Sequence, residues 1–194
     1  MIPSSDSTSQ VLLDSKQWLE RAVIGLNLCP FAKSVYVKSL IRYAISDAKS
    51  ESELLADLQN ELIYLNSVSP TITDTTLLIA PMCLHDFLEF NQLAHKANKL
   101  LTKLDLEGIF QIATLHPQYQ FAGTETDDIT NFTNRAPYPT LHLLRESSID
   151  RAIKAIPDAE SIFQVNMETM RRIGLEGWRN LGLHETTAKH NEAA

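Results

Sequence analysis

The chain has 194 residues, of which 44% are hydrophobic and 21% charged, values typical of one globular domain with a modest tail. Its net charge of −7 disfavours unspecific binding to nucleic acid or to acidic membranes, although a local basic pocket is compatible with it. No apolar stretch approaches the roughly 20 residues that a membrane-spanning helix needs, and the N-terminal segment lacks the pattern of a secretory signal.

Helix and strand patterns follow one another along residues 11–174. Residues 1–10 are polar and rich in serine, so we expect a disordered N-terminus. Apolar residues that recur every three or four positions predict helices that begin near Asp14, Ser50, Leu84, Ser147 and Asp158. Apolar, β-branched or alternating runs predict strands at residues 41–46, 75–80, 109–115 and 140–145. Residues 175–194 are interpreted as a polar C-terminal tail that docks through Trp178.

Local signals place the ends of these helices. Asp14 is suited to cap the first helix, and Ser50 with Glu53 forms a capping box for the second. Ser147 is the expected cap of the helix that follows the last strand. Gly174 is a good C-terminal helix stop.

The order of elements is α-β-α-β-α-β-β-α-α, which indicates an α/β fold with a small mixed sheet of about four strands and helices packed on it. Two successive β-α-β units predict right-handed connections between parallel neighbours. The last two strands are joined without a helix, so we expect them to be antiparallel. Ligands of open α/β sheets lie beyond the carboxyl ends of parallel strands, and His116 follows the third strand at such an end.

A long segment without a helix or strand pattern, residues 116–139, connects the last two strands. Connections of this length are usually functional or disordered. Its four aromatic residues argue against disorder, and its prolines stiffen both ends. Asn131 and Asn134 can hold irregular turns through side-chain hydrogen bonds. We therefore expect an ordered loop that either carries a binding or catalytic site or is purely structural.

His116 and His142 lie at the two ends of this loop, and histidine exchanges protons near neutral pH. The two rings can face the same side of the sheet or opposite sides, because the sequence leaves the register open. His142 lies in an apolar run, so a hydrogen-bonded core position explains it equally well. Arg135 can hold a carboxylate or phosphate in a two-pronged grip, or it can pair with Asp127 or Asp128 and pin the loop.

The same loop offers further candidates. Asp128 can support His116 in proton transfer. The carboxylates of Asp127 and Asp128 can also be combined with His116 into a metal site, for which no spacing here is diagnostic. Tyr138, Asn131 and Asn134 are candidates for binding a substrate or a protein partner.

Two cysteines, Cys29 and Cys83, form neither a disulfide framework nor a Cys-x-x-Cys pair. This suits a reducing compartment, so we expect a cytoplasmic protein. Cys29 precedes Pro30, as in thioredoxin-like and glutathione-transferase sites, where the thiol meets a helix N-terminus. The residues before Cys29 look helical, which places it near a helix C-terminus, where the dipole disfavours a thiolate. Reactive thiol chemistry and a buried apolar cysteine are the two interpretations of this residue.

Several runs along the chain form a recognisable set. They are residues 25–32 (Gly-Leu-Asn-Leu-Cys-Pro-Phe-Ala), His116 and Pro117 with Tyr119, Phe121 and Gly123, then Asn131, Asn134 and Arg135, and finally residues 137–139 and 142–146. This set resembles an uncharacterised, mainly bacterial family, domain of unknown function 1415, over about residues 11–174. The resemblance implies a family, and it implies neither an activity nor a catalytic assignment.

Two functions from different classes stay open. The first is an enzyme acting on a small anionic metabolite, with Arg135 binding the anion and His116 moving protons, supported by His142 or Asp128. The second is a non-catalytic ligand-binding or protein-interaction domain that uses the same loop, with Tyr138 and Arg135 as anchors. Thiol chemistry at Cys29 is a third alternative. The sequence leaves the substrate, any cofactor or metal, and the oligomeric state open.

Overall fold

The computed structural model describes residues 5–154 and 161–184. The helices are α1 (Ser5–Trp18), α2 (Ala32–Val37), α3 (Glu51–Ser67), α4 (Phe87–Lys103), α5 (Glu146–Lys154) and α6 (Ile162–Arg179), with a π-helix at Leu19–Ile24 and a 3₁₀ helix at Ile129–Asn134. The strands are β1 (Ile41–Ile45), β2 (Thr75–Ile79), β3 (Phe110–Leu115) and β4 (Thr140–Arg145). Within the described ranges, no helix combines the length and apolar character that crossing a bilayer requires.

The strands form one mixed sheet in the order β1-β2-β4-β3. β1 and β2 pair in parallel, and β4 is antiparallel to both of its neighbours. These pairings confirm the α/β fold and the antiparallel final pair. The prediction that the second and third strands are neighbours is wrong, because β4 pairs with β2 along its whole length, from Thr75–Leu144 to Ile79–Thr140. β4 therefore separates the two strands that the second crossover connects.

Helices cover both faces of the sheet, and each face has its own apolar core. On one face α3 and α4 pack on Leu78 and Leu141. On the other face α1, the π-helix and α6 pack on Leu77 and Ile79. Residues paired across strands project to the same face, so His142, which pairs with Leu77, faces α1. The described residues thus form three layers, with the sheet in the middle.

The predicted capping box of Ser50 and Glu53 begins α3. The Ser50 hydroxyl accepts a hydrogen bond from the amide of Glu53 at 3.4 Å. The Glu53 carboxylate accepts from the amide of Lys49 at 2.7 Å. The leucines of α3 then face the core without exposure; they are Leu54, Leu58, Leu62 and Leu65. Burying each of them stabilises the fold by about 1.5–3 kcal/mol.

The first helix begins earlier than predicted. α1 starts at Ser5, so residues 5–10, which we expected to be disordered, are helical, and residues 1–4 lie outside the described residues. Asp14 is not its cap, since it lies inside the helix and is buried. The Asp14 carboxylate instead accepts a hydrogen bond from Tyr138, which lies far away in the sequence, so local sequence patterns do not predict this role.

Three further helix ends differ from the prediction. α4 begins after Asp86 rather than at Leu84, because the Asp86 carboxylate accepts hydrogen bonds from the first free amides of the helix. Ser147 lies inside the first turn of α5 instead of before it. Gly174, with φ 61°, is a kink inside α6, which continues to Arg179. The predicted restart at Asp158 lies outside the described residues.

Candidate functional site

The loop of residues 116–139 is ordered, as predicted, and Asn131 holds it together. The Asn131 side chain is fully buried. Its Oδ1 accepts hydrogen bonds from the amide of Phe121 at 3.0 Å and from the Thr124 hydroxyl at 2.8 Å. Its Nδ2 donates to the carbonyl oxygen of Glu125 at 2.8 Å. Because these bonds occupy a side chain sealed from solvent, Asn131 has a structural role rather than the predicted ligand-binding one.

Asp128 caps the 3₁₀ helix of the loop. Its Oδ1 accepts from the hydroxyl of Thr130 at 2.7 Å and from the amide of Thr130 at 2.8 Å. These bonds, followed by the charge of Arg171, hold the pKa of Asp128 below its ordinary value. A carboxylate with a lowered pKa is a poor general base at neutral pH, so the geometry gives Asp128 a capping role in place of the predicted catalytic one.

Arg135 pins the loop through backbone carbonyls. Its Nε donates to the oxygen of Tyr119 at 3.3 Å, and its Nη2 donates to the oxygen of Thr126 at 2.6 Å. The guanidinium carbon lies 4.0 Å from the centre of the Phe132 ring. A guanidinium has five N–H groups, so these two bonds leave N–H groups for a ligand. Within residues 5–154 and 161–184, Arg135 makes no ion pair with a carboxylate.

His116 is buried on the face of the sheet that α4 covers. Its Nδ1 accepts from the amide of Gln118, and its Nε2 donates to the carbonyl oxygen of Leu84, both at 3.0 Å. The ring packs against the rings of Phe87 and Phe90, with centroids 5.4 and 5.1 Å apart. Burial lowers the pKa of His116 to about 4. With both nitrogens engaged and no exposed surface, His116 is not positioned for the proton transfer predicted for it.

His142 lies on the opposite face of the sheet. The Thr75 hydroxyl donates to the carbonyl oxygen of Leu143 at 2.6 Å. His142 Nε2, which lies 2.8 Å from the same hydroxyl oxygen, is therefore the donor to Thr75. Burial lowers the pKa of His142 to about 4. Since the sheet separates the two histidines, His116 and His142 cannot act on one ligand.

The stability of the protein is expected to fall as the pH drops from 6.5 towards 4. Both histidines are neutral in the folded protein, whereas histidine in the unfolded chain has a pKa near 6.5. Below that pH the unfolded chain binds protons that the folded protein does not, so the free energy of unfolding decreases until the folded-state pKa is reached. For His116 this linkage is on the order of 3 kcal/mol.

Urea unfolding across that pH interval measures the effect, with His116→Phe as the comparison. The variant lacks this titration, so its free energy of unfolding should depend less steeply on pH than that of the wild type. Carboxylates titrate in both proteins and cancel in the comparison. Equal slopes for the two proteins would contradict the assignment of a neutral, buried His116.

Cys29 lies between two helices, because the π-helix that ends at Ile24 precedes it, as the helical pattern before Cys29 predicted, and α2 follows it. The sequence patterns did not predict α2, which begins just after Cys29 and places the thiol on the N-terminal side of a helix. Burial is the largest influence and raises the pKa of the Cys29 thiol, although the amides of Phe31 and Ala32 act in the opposite direction. The thiolate is the reactive form of cysteine, so this environment disfavours thiol chemistry.

Tyr138 ties the loop to α1. Its hydroxyl donates to Asp14 Oδ2 at 2.7 Å, and Asp14 Oδ1 accepts from Gln10 Nε2 at 2.7 Å. The Tyr138 ring is stacked on His184, with centroids 6.1 Å apart and planes inclined by 24°. Burial, and then the bond to Asp14, raises the pKa of Tyr138. Tyr138 is therefore an anchor between the loop, the first helix and the segment after α6.

Asn134 takes part in the hydrogen bonds of the loop itself. The carbonyl oxygen of Asn134 accepts from the amide of His116 at 3.2 Å, which closes the base of the loop. Its side chain accepts a long hydrogen bond of 3.4 Å from the Thr133 hydroxyl. Across the described ranges, no group of three or more His, Cys, Asp and Glu side chains is arranged to hold a metal ion.

A cleft of about 250 Å³ opens between the loop and α6. Its basic side chains are Arg135, Arg179 and His184, and its aromatic ones are Trp18, Phe132 and Trp178. Proline, leucine and alanine side chains complete the lining. Trp18 Nε1 donates to the carbonyl oxygen of Arg135 at 2.8 Å, and Phe132 meets Trp178 edge to face at 5.2 Å. These contacts hold the two walls of the cleft at a fixed separation.

A third wall of the cleft comes from the segment that follows α6. Arg21 Nη1 donates to the carbonyl oxygens of Leu181 and Gly182, both at 3.0 Å. These two hydrogen bonds hold the backbone just before Leu183 and His184, which line the cleft. Residues 175–194 are polar and were predicted to form a tail, so neither His184 nor Arg179 was a predicted site residue.

A larger cavity of about 570 Å³ lies at the carboxyl end of β1 and has an acidic lining. Three of the four acidic side chains in its lining already have partners. Ser46 donates to Asp57 at 2.5 Å, and Glu61 forms an ion pair with Arg42 at 2.7 Å. Glu53 is used in the cap of α3. This cavity therefore offers less for a ligand than the cleft does.

Comparison with known proteins identifies the chain at the level of the family. A family model described as protein of unknown function (DUF1415) matches residues 10–180. No curated protein and no solved structure matches the chain. Because the family model covers most of the chain, the resemblance drawn from its motifs is confirmed, and the chain belongs to the DUF1415 family of proteins of unknown function.

Proposed function

We propose that this protein binds a small anionic ligand in the cleft between the loop and α6. The observation that carries the proposal is the pair Arg135 and Arg179, two guanidinium groups that line one cleft and form no ion pair within the described residues. The chain as a whole has a net charge of −7, so cationic groups gathered in one concave site favour an anion there.

The surroundings of the two arginines strengthen this attraction. Arg135 is half-buried, and burial lowers its pKa without removing its charge at neutral pH. Apolar walls reduce the local dielectric constant, which makes the attraction between a guanidinium and an anion stronger than in water. Arg179 is exposed at the mouth of the cleft, where a long cationic side chain can reach an entering ligand.

Binding without catalysis accounts for the site better than an enzyme does. The three candidates for proton transfer, His116, His142 and Asp128, do not line the cleft. A general acid or base has to reach the reacting atom directly or through one water molecule. None of these three side chains is therefore placed to reach a ligand in the cleft.

A cytoplasmic location is part of the proposal. Cys29 and Cys83 are both free thiols. Free thiols persist in a reducing compartment, where disulfides are rare. The net negative charge also continues to disfavour nucleic acid and acidic membranes as partners.

Replacing Arg179 by glutamine is expected to weaken anion binding at least about tenfold, since a charge-assisted hydrogen bond contributes roughly 1.5–3 kcal/mol. The chain has two tryptophans, and both line the cleft, so intrinsic tryptophan fluorescence reports on this site. Titrations with inorganic phosphate, acetate and phenylacetate at constant ionic strength measure the affinity.

The matched control is Arg172→Gln. Arg172 is an exposed residue of the same helix that does not line the cleft, and the substitution removes the same charge. The control should bind like the wild type. Equal weakening in the two variants, or a wild type that shows no saturable response to any of the three anions, would refute the proposed function.

A further inference from the structure

We propose that the ligand is a small hydrophobic anion: one acidic head group on a hydrocarbon body that carries no hydroxyl or amino group. This inference rests on the proposed anion binding and adds the chemistry of the rest of the ligand. Three observations support it, namely which charged and apolar groups line the cleft, which hydrogen-bonding side chains its described lining lacks, and how large it is.

The lining of the cleft combines two guanidinium groups and an imidazole with apolar side chains. Arg135, Arg179 and His184 are its described polar side chains, apart from the indole N–H groups of the tryptophans. The Trp18 N–H is already bonded to a backbone carbonyl. The other lining side chains are apolar, among them Phe132 and Leu175. A ligand that satisfies both kinds of side chain carries a negative charge and a hydrocarbon body.

The described lining residues offer few acceptors for hydrogen bonds from a ligand. No Asp, Glu, Asn, Gln, Ser, Thr or Tyr side chain is among them. Hydroxyl groups of a sugar would lose their water partners in such a site at a cost of about 1–3 kcal/mol each. The ammonium group of an amino acid would in addition be repelled by Arg135 and Arg179. The cleft therefore disfavours sugars, nucleotides and zwitterionic amino acids.

The volume of the cleft limits the size of the hydrocarbon body. At about 250 Å³, the cleft lies below the roughly 300–1,000 Å³ typical of sites for drug-sized ligands. With about 30 Å³ for each molecule of liquid water, it has room for roughly eight water molecules. A single aromatic ring or a short branched chain with an acidic head fits this space.

Four related compounds separate the contributions of the head group and the body. Phenylacetate combines the carboxylate with a ring, acetate lacks the ring, phenylacetamide is its neutral counterpart, and phenylglycine adds an ammonium group. Tryptophan fluorescence titrations should give a saturable response to phenylacetate, with affinity at least about tenfold higher than for the other three. A tenfold ratio corresponds to about 1.4 kcal/mol.

Two variants should separate the same contributions on the protein. Leu175 lines the cleft and is 44% exposed, so Leu175→Gln should leave the fold intact. This variant should weaken phenylacetate binding several-fold and leave acetate binding unchanged, whereas Arg179→Gln should weaken both. Val165→Gln, at a comparably exposed position of the same helix outside the cleft, should change neither.

The possible outcomes distinguish this inference from the proposed function. If acetate or inorganic phosphate binds as tightly as phenylacetate, the inference of a hydrocarbon body is wrong, whereas the proposed anion binding is unaffected. If phenylglycine binds as tightly, the exclusion of amino groups is wrong. If phenylacetamide binds as tightly, or no anion gives a saturable response, both proposals fail.

Discussion

Replacement of Asn131 by alanine is expected to lower the free energy of unfolding by about 3 kcal/mol. The substitution removes three side-chain hydrogen bonds from a fully buried position. Each intramolecular hydrogen bond contributes about 0.5–1.5 kcal/mol to stability, so the loss of three bonds accounts for the expected change. Urea unfolding at neutral pH measures the change.

Two comparison variants give this experiment its specificity. Asn134→Ala removes a half-buried side chain with one long hydrogen bond, so it should cost less than about 1 kcal/mol. Asn131→Asp keeps the acceptor oxygen but loses the donation to Glu125, and it buries a charge, so it should also be strongly destabilising. If Asn131→Ala costs no more than Asn134→Ala, the loop does not depend on this residue.

Replacement of Arg145 by methionine is expected to destabilise the protein by about 3 kcal/mol. Arg145 is buried at the end of β4, and its Nη2 lies 2.5, 2.8 and 3.2 Å from the carbonyl oxygens of Leu65, Val68 and Thr73. The last carbonyls of a helix lack partners within the helix, and this guanidinium supplies one at the end of α3. Methionine is long and apolar but cannot donate, so the carbonyls stay buried and unpaired.

Arg42→Met is the matched control, because it makes the same substitution at an exposed site. Arg42 forms a surface ion pair with Glu61 at 2.7 Å, and exposed ion pairs contribute about 0–1 kcal/mol. Urea unfolding of the two variants should therefore differ by about 2 kcal/mol or more. Equal losses would show that Arg145 contributes no more than an exposed charge.

The positions of the strands could be predicted from local sequence patterns. The run that begins at Thr75 is apolar and β-branched, and the structure has a fully buried strand there. The position of β4 could not be predicted in the same way. Leu141 and Leu143 are buried and apolar, which suits a strand at the centre of a sheet, but their partners in β2 lie more than 60 residues away along the chain. Which strand it joins is decided by tertiary packing.

The order of the loop was predictable from its aromatic residues and prolines, but the roles of its polar residues were not. His116 follows a strand, as ligand-binding residues often do, yet Phe87 and Phe90 of α4 cover it. Nothing near His116 in the sequence indicates that cover. Its burial depends on how a helix some 25 residues earlier packs against the sheet.

The sequence contains a weak indication of Arg179, a cleft residue that was not predicted. Gly174 is a good helix stop, and the prediction ended the last helix there. Leu175 and Trp178 continue an apolar spacing of three beyond the glycine, and the helix does resume after the kink. That spacing was the available indication that Arg179 lies on a packed helix rather than in a tail.

The placement of β4 has a consequence for how the chain is synthesised. The strand that joins the two halves of the sheet is the last one to leave the ribosome, so the edges of β2 and β3 remain unpaired until residues 140–145 have emerged. Unpaired edges are templates for association with other chains. A nascent or prematurely terminated chain that ends before β4 is therefore expected to aggregate more readily than a chain that contains β4.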